Sequence, residues 1–192
     1  MRQIALLMHT SLDGFVAGPN GEMDWITTTD DVFEYAKRLT AVADAALYGR
    51  VTYEMMQSYW PTAAEQPTAT AHDIQHAEWY NRVEKIVVSR SMQGATLPRT
   101  TIVGARLTEE IRAIKQGPGG DIAIFGSATA VHALMAANLI DELWLMVNPV
   151  LLGAGLPLFS GIAGHVALEA VSSTLLPSGV VCLHYSLRSR DG

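Results

Sequence analysis

The amino-acid sequence predicts an α/β fold of three layers, in which a mostly parallel sheet has helices on both faces. Short apolar and β-branched runs alternate with amphipathic helical stretches along most of the chain. Runs such as Asp121–Phe125 show no polar alternation, which is typical of strands that are covered on both faces. The length of 192 residues and the 49% of hydrophobic residues suit one domain over 1–192.

Eight runs predict the strands of this sheet. They lie at 2–9, 44–48, 85–89, 100–103, 121–125, 141–149, 166–174 and 180–188. The last two runs are joined only by Leu175–Gly179, a segment too short for a crossover helix. We therefore expect an antiparallel hairpin at one edge of the sheet.

Five helices are predicted between these strands. They span 31–42, about 51–58, about 70–82, a segment that begins at Thr108, and 127–137. In the first helix, Asp31 and Glu34 have the spacing of a capping pair.

Composition excludes several classes of protein. Thirteen Lys and Arg against nineteen Asp and Glu give a net charge of -6, and the basic residues are scattered, so nucleic acid and anionic membranes are not expected partners. The longest apolar runs, such as Leu143–Val147, are too short to span a membrane. The single cysteine, Cys182, lies in a strand-like run and suits burial in a reducing compartment, so we expect a cytoplasmic protein.

Three turns after predicted strands have the composition of phosphate-binding sites. Gly126-Ser127 opens the last helix, Gly49-Arg50 opens the second, and Ser89-Arg90-Ser91 follows the strand at 85–89. Free amides at a helix start and Arg beside hydroxyls both bind phosphate oxygens. The alternatives are that Ser127 only caps its helix and that each Arg lies on the surface.

The position of these turns favours a dinucleotide ligand. Ligands of open α/β sheets bind at the carboxyl ends of parallel strands, where all three turns are predicted to lie. Three phosphate-binding turns indicate a dinucleotide with an additional phosphate, so NADP is favoured over NAD.

The sequence gives weaker signals for a metal site or for a catalytic nucleophile. His72 and His76 share a helix face at i, i+4 spacing and imitate a zinc-binding helix, but no third ligand is close in sequence, so no metal site is predicted. No Gly-x-Ser-x-Gly elbow occurs. The remaining histidines are isolated and are interpreted as core or surface residues: His9, His132, His165 and His184.

Six motifs, taken in order, resemble the dihydrofolate-reductase-like family. They are SLDGFVA at 11–17, DWIT at 24–27, GRVTYE at 49–54, SRS at 89–91, FGS at 125–127, and DEL at 141–143 followed by PVLLG at 149–153 and LF at 158–159. Within that family the chain is most similar to the reductase domain of the bifunctional riboflavin-biosynthesis deaminase-reductase and its stand-alone relatives. The resemblance extends from Ile4 to about Arg188.

This resemblance implies an eight-stranded sheet that binds NADPH across its strand ends. It places Gly49, Arg50 and Thr52 against the adenosine and its 2′-phosphate, together with Ser89 and Arg90. It places Gly126, Ser127, Ala128 and Thr129 at the pyrophosphate. The loop from Asp13, with Val16, Ala17 and Gly18, borders the nicotinamide.

The resemblance also implies a substrate side, with Asp13 and Trp25 in contact with substrate. Asp30 matches the carboxylate that helps dihydrofolate reductases to polarise their heterocycle, and a half-buried carboxylate there would suit proton delivery. The alternatives are that Asp30 caps a helix and that Asp13 is a turn residue. Trp60, with Tyr59, either stacks on a flat substrate or packs its own helix.

The expected function is that of an NADPH-dependent reductase which transfers a hydride to a small heterocyclic substrate. Candidate activities are 5-amino-6-(5-phosphoribosylamino)uracil reduction and a dihydrofolate-reductase-like reaction. The segment Met55–Pro61 stands where riboflavin-pathway reductases have Asp-x-Pro-x-Leu-x-x-Arg, and so departs from their pattern. The alternative is a non-catalytic protein that binds or senses NADP(H). A homodimer is also expected, supported by the apolar stretch Leu143–Leu152.

Overall fold

The computed structural model describes residues 1–162 and 164–187. Its strands are β1 (Ile4–Ser11), β2 (Phe15–Ala17), β3 (Ala43–Gly49), β4 (Glu84–Val88), β5 (Thr100–Val103), β6 (Asp121–Phe125), β7 (Glu142–Asn148), β8 (Leu156–Pro157), β9 (Leu168–Leu175) and β10 (Val181–Leu187). Eight of them form one sheet in the order β5-β4-β3-β6-β1-β7-β10-β9, while β2 and β8 pair separately. The eight predicted strands are confirmed, and the short β2–β8 pair was not predicted.

The sheet is parallel except at its carboxyl-terminal edge. β1 pairs in parallel with β6 and β7, β3 with β4 and β6, and β4 with β5. β10 runs antiparallel to both β7 and β9, so β9 is the edge strand. The predicted hairpin is therefore confirmed.

Five helices cover the two faces of the sheet. They are α1 (Asp30–Thr40), α2 (Arg50–Ala63), α3 (Ala71–Arg82), α4 (Leu107–Gln116) and α5 (Ala128–Ala136). Each face of the sheet has its own hydrophobic core, and alternate side chains of β1 pack into one or the other. Ile4 and Leu6 pack in the core with α4 and α5, whereas Ala5 and Leu7 pack in the core with α1 and α3. In the described part of the chain no helix has the length and apolar content to cross a membrane.

The start of α1 differs from the predicted capping pair. Thr29 is the N-cap residue, and Glu34 pairs instead with Lys37 at 2.8 Å. Asp31 accepts hydrogen bonds from the Thr29 hydroxyl and, at 2.9 Å, from the backbone N–H of Ser178. The side chain of Asp31 therefore links α1 to the turn of the β9–β10 hairpin.

Part of the apolar stretch that was expected to support a homodimer lies inside the sheet. Leu143 and Met146, in the stretch expected to support a dimer, are buried in β7 between β1 and β10. These two residues are therefore not available to a partner, whereas Leu151 of the same stretch is exposed, and the homodimer stays a prediction. Cys182 is fully buried in β10, as its apolar neighbours indicated.

A partly buried ion pair lies at the end of the sheet opposite the predicted site. Lys115 Nζ lies 2.5 Å from Asp141 Oδ2, which also accepts from the N–H of Ile4 at 2.7 Å. The Lys115 ammonium donates a further bond to the carbonyl of Leu139 at 3.2 Å. This pair joins α4 to the amino ends of β1 and β7.

Candidate active site at the carboxyl ends of the parallel strands

Two of the predicted phosphate-binding turns are in direct contact. β3 lies between β4 and β6, so the turns that follow these strands are neighbours. A Cβ atom added to Gly49 would lie 2.2 Å from Ser127 Oγ, and one added to Gly126 would lie 3.7 Å from Thr52 Cγ2. The close approach of the β3–α2 and β6–α5 turns thus depends on glycine at 49.

The β6–α5 turn has an unusual backbone. Gly126 has a φ of +88° and Ser127 a φ of +74°, in the left-handed region that non-glycine residues seldom adopt. Ser127 is the N-cap residue of α5, yet its side chain makes no capping hydrogen bond. The first amides of α5 are therefore not capped by this side chain, which is the arrangement of an anion-binding helix start.

The basic residues of the other two turns are exposed. Arg50 Nη1 binds both carboxylate oxygens of Glu54, at 2.9 and 3.0 Å. Arg90 is exposed at the end of β4. Ser89 is buried, and its hydroxyl accepts from the N–H of Met92 at 3.2 Å and lies 3.2 Å from Ser91 Oγ, so it stabilises its own turn.

A cavity of about 760 Å³ opens beside these turns. Some of the predicted site residues line it: Val16, Ala17, Thr52, Trp60, Gly126, Ser127 and Ala128. The others lie outside its lining: Asp13, Gly18, Trp25, Asp30, Gly49, Arg50, Ser89, Arg90 and Thr129. The structure thus brings together the residues predicted for the nicotinamide loop and the pyrophosphate, with Trp60 from the predicted substrate side.

Asp13 and Trp25 make contacts within the loops around the cavity. The Asp13 carboxylate accepts from the N–H groups of Gly153, at 2.7 Å, and Leu152, at 3.2 Å. Hydrogen bonds from the Ser11 side chain and from these amides lower the pKa of Asp13. Trp25 donates its indole N–H to the carbonyl of Glu22 at 3.1 Å. Asp13 thus joins the loop after β1 to the loop after β7.

The environment of Asp30 differs from the expected one. Asp30 is the first residue of α1 and is exposed, so the half-buried carboxylate predicted there is wrong. Its charge acts on the ring of His72, which does line the cavity. This exposure removes the burial argument for proton delivery by Asp30, and the predicted catalytic role itself is untested. Leaving the histidines aside, two charged side chains line the cavity among the described residues. They are Lys37 and Arg82, and both are cationic.

Sequence reasoning missed the aromatic wall of the cavity. We use this name for Phe33, Trp60, His72, His76, Trp79 and Phe125, all of which line it. His72 stacks on Phe33 with ring centroids 3.7 Å apart and planes 7° apart. His76 lies 4.1 Å from the ring of Trp60 and 5.7 Å from that of Phe125. The i, i+4 spacing of His72 and His76 predicted that they share a face of α3. The rings that they contact come from α1, α2 and β6, which that spacing does not predict.

The two histidines of the aromatic wall are neutral at pH 7. Burial lowers the pKa of His76 to about 4 and also lowers the pKa of His72. Within residues 1–162 and 164–187, no group of three metal-ligating side chains comes together. These imidazoles therefore contribute flat, uncharged surface to the cavity.

Comparisons with known proteins agree with the fold and with the motifs. Residues 2–182 match the family model of the RibD C-terminal domain. The Bacillus subtilis (strain 168) protein YyaP, which is uncharacterised, is 32% identical over 186 residues, or 96% of this chain and 94% of YyaP. These matches confirm the resemblance drawn from the motifs.

Solved structures share the architecture at low identity. A Shewanella sp. PV-4 protein provisionally named for riboflavin biosynthesis has a TM-score of 0.72 at 18% identity, over 97% of this chain and 99% of that one. Dihydrofolate reductase from Enterococcus faecalis, solved with NADP(H) and RAB-propyl, has a TM-score of 0.64 at 18% identity, over 97% of each chain. The chain therefore has the dihydrofolate-reductase-like fold.

Proposed function

Because the chain belongs to the RibD C-terminal domain family, we propose that it is an NADPH-dependent reductase acting on a small carbonyl or imine compound. The observation that carries this proposal is the contact between the turns at Gly49 and Gly126, beside a cavity large enough for a nicotinamide and a substrate. Turns of this kind let backbone amides approach a pyrophosphate closely. The NADP(H) complex of the Enterococcus faecalis relative supports the same cofactor class.

The residues of this chain fit such a cofactor. A side chain at Gly49 would meet Ser127, so the absence of a Cβ keeps the start of α5 accessible. We place the pyrophosphate on the amides of Ala128 and Thr129, with the Ser127 hydroxyl beside it. Arg50 and Arg90 lie at the neighbouring strand ends and are the candidates for the 2′-phosphate. When bound, NADPH supplies the hydride.

The remaining lining residues position the substrate and exclude water. Val16 and Ala17, both buried, form one side of the cavity, and the aromatic wall forms another. A flat apolar body would stack on Trp60 and His76. Lys37 and Arg82 make the described lining cationic, which suits a neutral or anionic carbonyl compound better than a protonated pterin.

A fluorescence titration tests the cofactor assignment. Trp60 and Trp79 line the cavity, so bound NADPH should quench the protein emission. We expect micromolar NADPH affinity, at least tenfold weaker NADH affinity, and loss of that preference in Arg50→Ala. Glu54→Gln is the matched variant, because it releases Arg50 from its ion pair and should leave NADPH binding equal or tighter.

Two outcomes count against the proposal. If neither nucleotide binds, the reductase assignment fails and the chain uses a shared fold for another purpose. If NADPH binds but no carbonyl, imine, pterin or pyrimidine substrate is reduced at any pH, the non-catalytic NADP(H)-binding alternative is favoured.

A further inference from the structure

His9 is a partly buried titratable residue that lines the cavity and has no role so far. It lies near the carboxyl end of β1, and its ring lines the cavity together with Val16 and Ala17. Sequence reasoning interpreted it as an isolated core or surface residue. Within the described residues, its imidazole makes a hydrogen-bond contact with Asn148 of β7.

The orientation of the Asn148 amide is fixed by its surroundings. Asn148 is fully buried, and its Oδ1 accepts from the N–H of Thr27 at 2.8 Å. Its Nδ2 faces two carbonyl oxygens, those of Met146 at 3.1 Å and Thr10 at 3.3 Å. A flipped amide would place its single oxygen against the two carbonyl oxygens and its NH₂ group against the Thr27 N–H donor, so only one orientation is satisfied.

This amide sets the tautomer of His9. Asn148 Nδ2 lies 3.3 Å from His9 Nδ1, and an NH₂ group is only a donor. The two hydrogens of this NH₂ group are shared among three acceptors, and a protonated Nδ1 would face those hydrogens, so the contact favours an unprotonated Nδ1 with the ring proton of the neutral imidazole on Nε2. Burial supports the neutral form, since it lowers the pKa of His9 to about 4. Among the described residues, the hydrogen-bond contact of the His9 ring is this one at Nδ1, so Nε2–H is the donor that we assign to a ligand.

We propose that the Nε2–H group of His9 donates a hydrogen bond to the substrate's carbonyl oxygen and so polarises it for reduction. The proposal rests on the proposed function. The carbonyl carbon accepts the hydride of bound NADPH, which is thereby oxidised to NADP⁺, and the C=O π pair moves to the oxygen. That oxygen takes a proton from water to complete the alcohol. His9 keeps its own proton throughout and acts as a neutral electrophile.

The first test measures the tautomer directly in the wild-type protein. Two-bond ¹⁵N–¹H spectra of uniformly labelled protein at pH 7 should show a His9 ring that is protonated at Nε2 and unprotonated at Nδ1. Loss of that pattern in His9→Gln assigns it. A ring protonated at Nδ1, or at both nitrogens, would overturn the proposal whatever the enzyme reduces.

The second test measures reduction of two flat aromatic carbonyl probes, phenanthrenequinone and 4-carboxybenzaldehyde. We expect His9→Phe to lower kcat by about 10²-fold, as for loss of one oxyanion donor, with the NADPH Kd within twofold of wild type. His9→Gln retains an N–H donor and should recover at least tenfold of that loss. His165 is exposed, so His165→Gln is the matched control and should have the kcat of the wild type.

The outcomes separate this proposal from the one on which it rests. If wild type binds NADPH but His9→Phe keeps kcat within threefold, or wild type reduces neither probe, the role of His9 is refuted while the cofactor assignment stands. If wild type does not bind NADPH, the reductase assignment fails, and the tautomer spectrum still reports whether the Asn148 geometry is correct.

Discussion

Replacing Gly49 by Ala tests the contact between the two turns that are proposed to bind phosphate, those at Gly49 and Gly126. Gly49 has a φ of −78°, which any residue adopts, so alanine causes no backbone strain there. The added Cβ would lie 2.2 Å from Ser127 Oγ and 3.3 Å from Ser127 Cβ. The first distance is about 1 Å inside ordinary contact, so the Ser127 turn must move.

The size of the effect follows from this overlap. Overpacking of this kind costs about 1–3 kcal/mol, which for a domain of this length lowers the Tm by roughly 2–12 °C. Because the shift moves the first turn of α5, we also expect NADPH affinity to fall about tenfold, or about 1.4 kcal/mol. Both losses come from the same displacement.

A second substitution relieves the first. Ser127→Gly removes both atoms that the new Cβ would meet, and glycine suits the φ of +74° at this position. In the double variant Gly49→Ala/Ser127→Gly, we therefore expect the Tm to return to within about 2 °C of Ser127→Gly alone, a coupling of about 1–2 kcal/mol.

Thermal unfolding and NADPH titration of the four proteins make a complete double-mutant cycle. Gly117→Ala is the matched control, because its φ is −70° and the nearest atom to its Cβ would be 3.3 Å away, at the far end of α4. A Tm unchanged in Gly49→Ala, or losses that simply add in the double variant, would show that the two turns do not touch as described.

Three further predictions concern other parts of the molecule. Lys115→Met should lower the free energy of unfolding in urea by about 3 kcal/mol, because it leaves the Asp141 carboxylate without its ion pair; a loss under 1 kcal/mol would show that the pair contributes little. Burial lowers the pKa of His9 and His76 to about 4, below the 6.5 of an ordinary histidine, so the unfolded chain binds more protons between these values and stability should fall as pH drops from about 6.5 to 4. His76→Phe should flatten that fall in urea unfolding at stepped pH, and an unchanged slope would contradict the assignment. Asp30→Asn should change turnover less than about twofold, because the carboxylate is exposed outside the cavity lining; a loss of tenfold or more with unchanged NADPH affinity would make Asp30 the proton source.

The fold was largely predictable because its elements are long and strongly patterned. The runs that became β1, β6 and β7 are continuous and apolar, as strands buried on both faces require. By contrast, β8 has only two residues and β2 only three, which is too short for any periodicity to show. The second helix was predicted to end near residue 58, but it continues to Ala63 with Pro61 in its last turn.

Part of the candidate site was also predictable from the sequence, and part was not. The contact of Gly49 with the Ser127 turn followed from a topological rule, since parallel strands place their carboxyl ends together. The aromatic wall depends on contacts between α1, α2, α3 and β6, and no local pattern predicts which rings meet across them. The tautomer of His9 depends on Asn148, which is 139 positions away along the chain. The exposure of Asp30 is likewise set by tertiary packing.

The aromatic wall also bears on how relatives of this protein can diverge. Four of its six rings come from one continuous stretch, α2 to α3, whereas the proposed cofactor side is built from backbone turns at separate strand ends. Substitutions on the cavity-facing positions of residues 55–79 can therefore reshape what the enzyme accepts without disturbing the turn at Gly126. Selection for a new substrate would then act on one short segment, residues 55–79, while the turns proposed to bind the nucleotide stay unchanged.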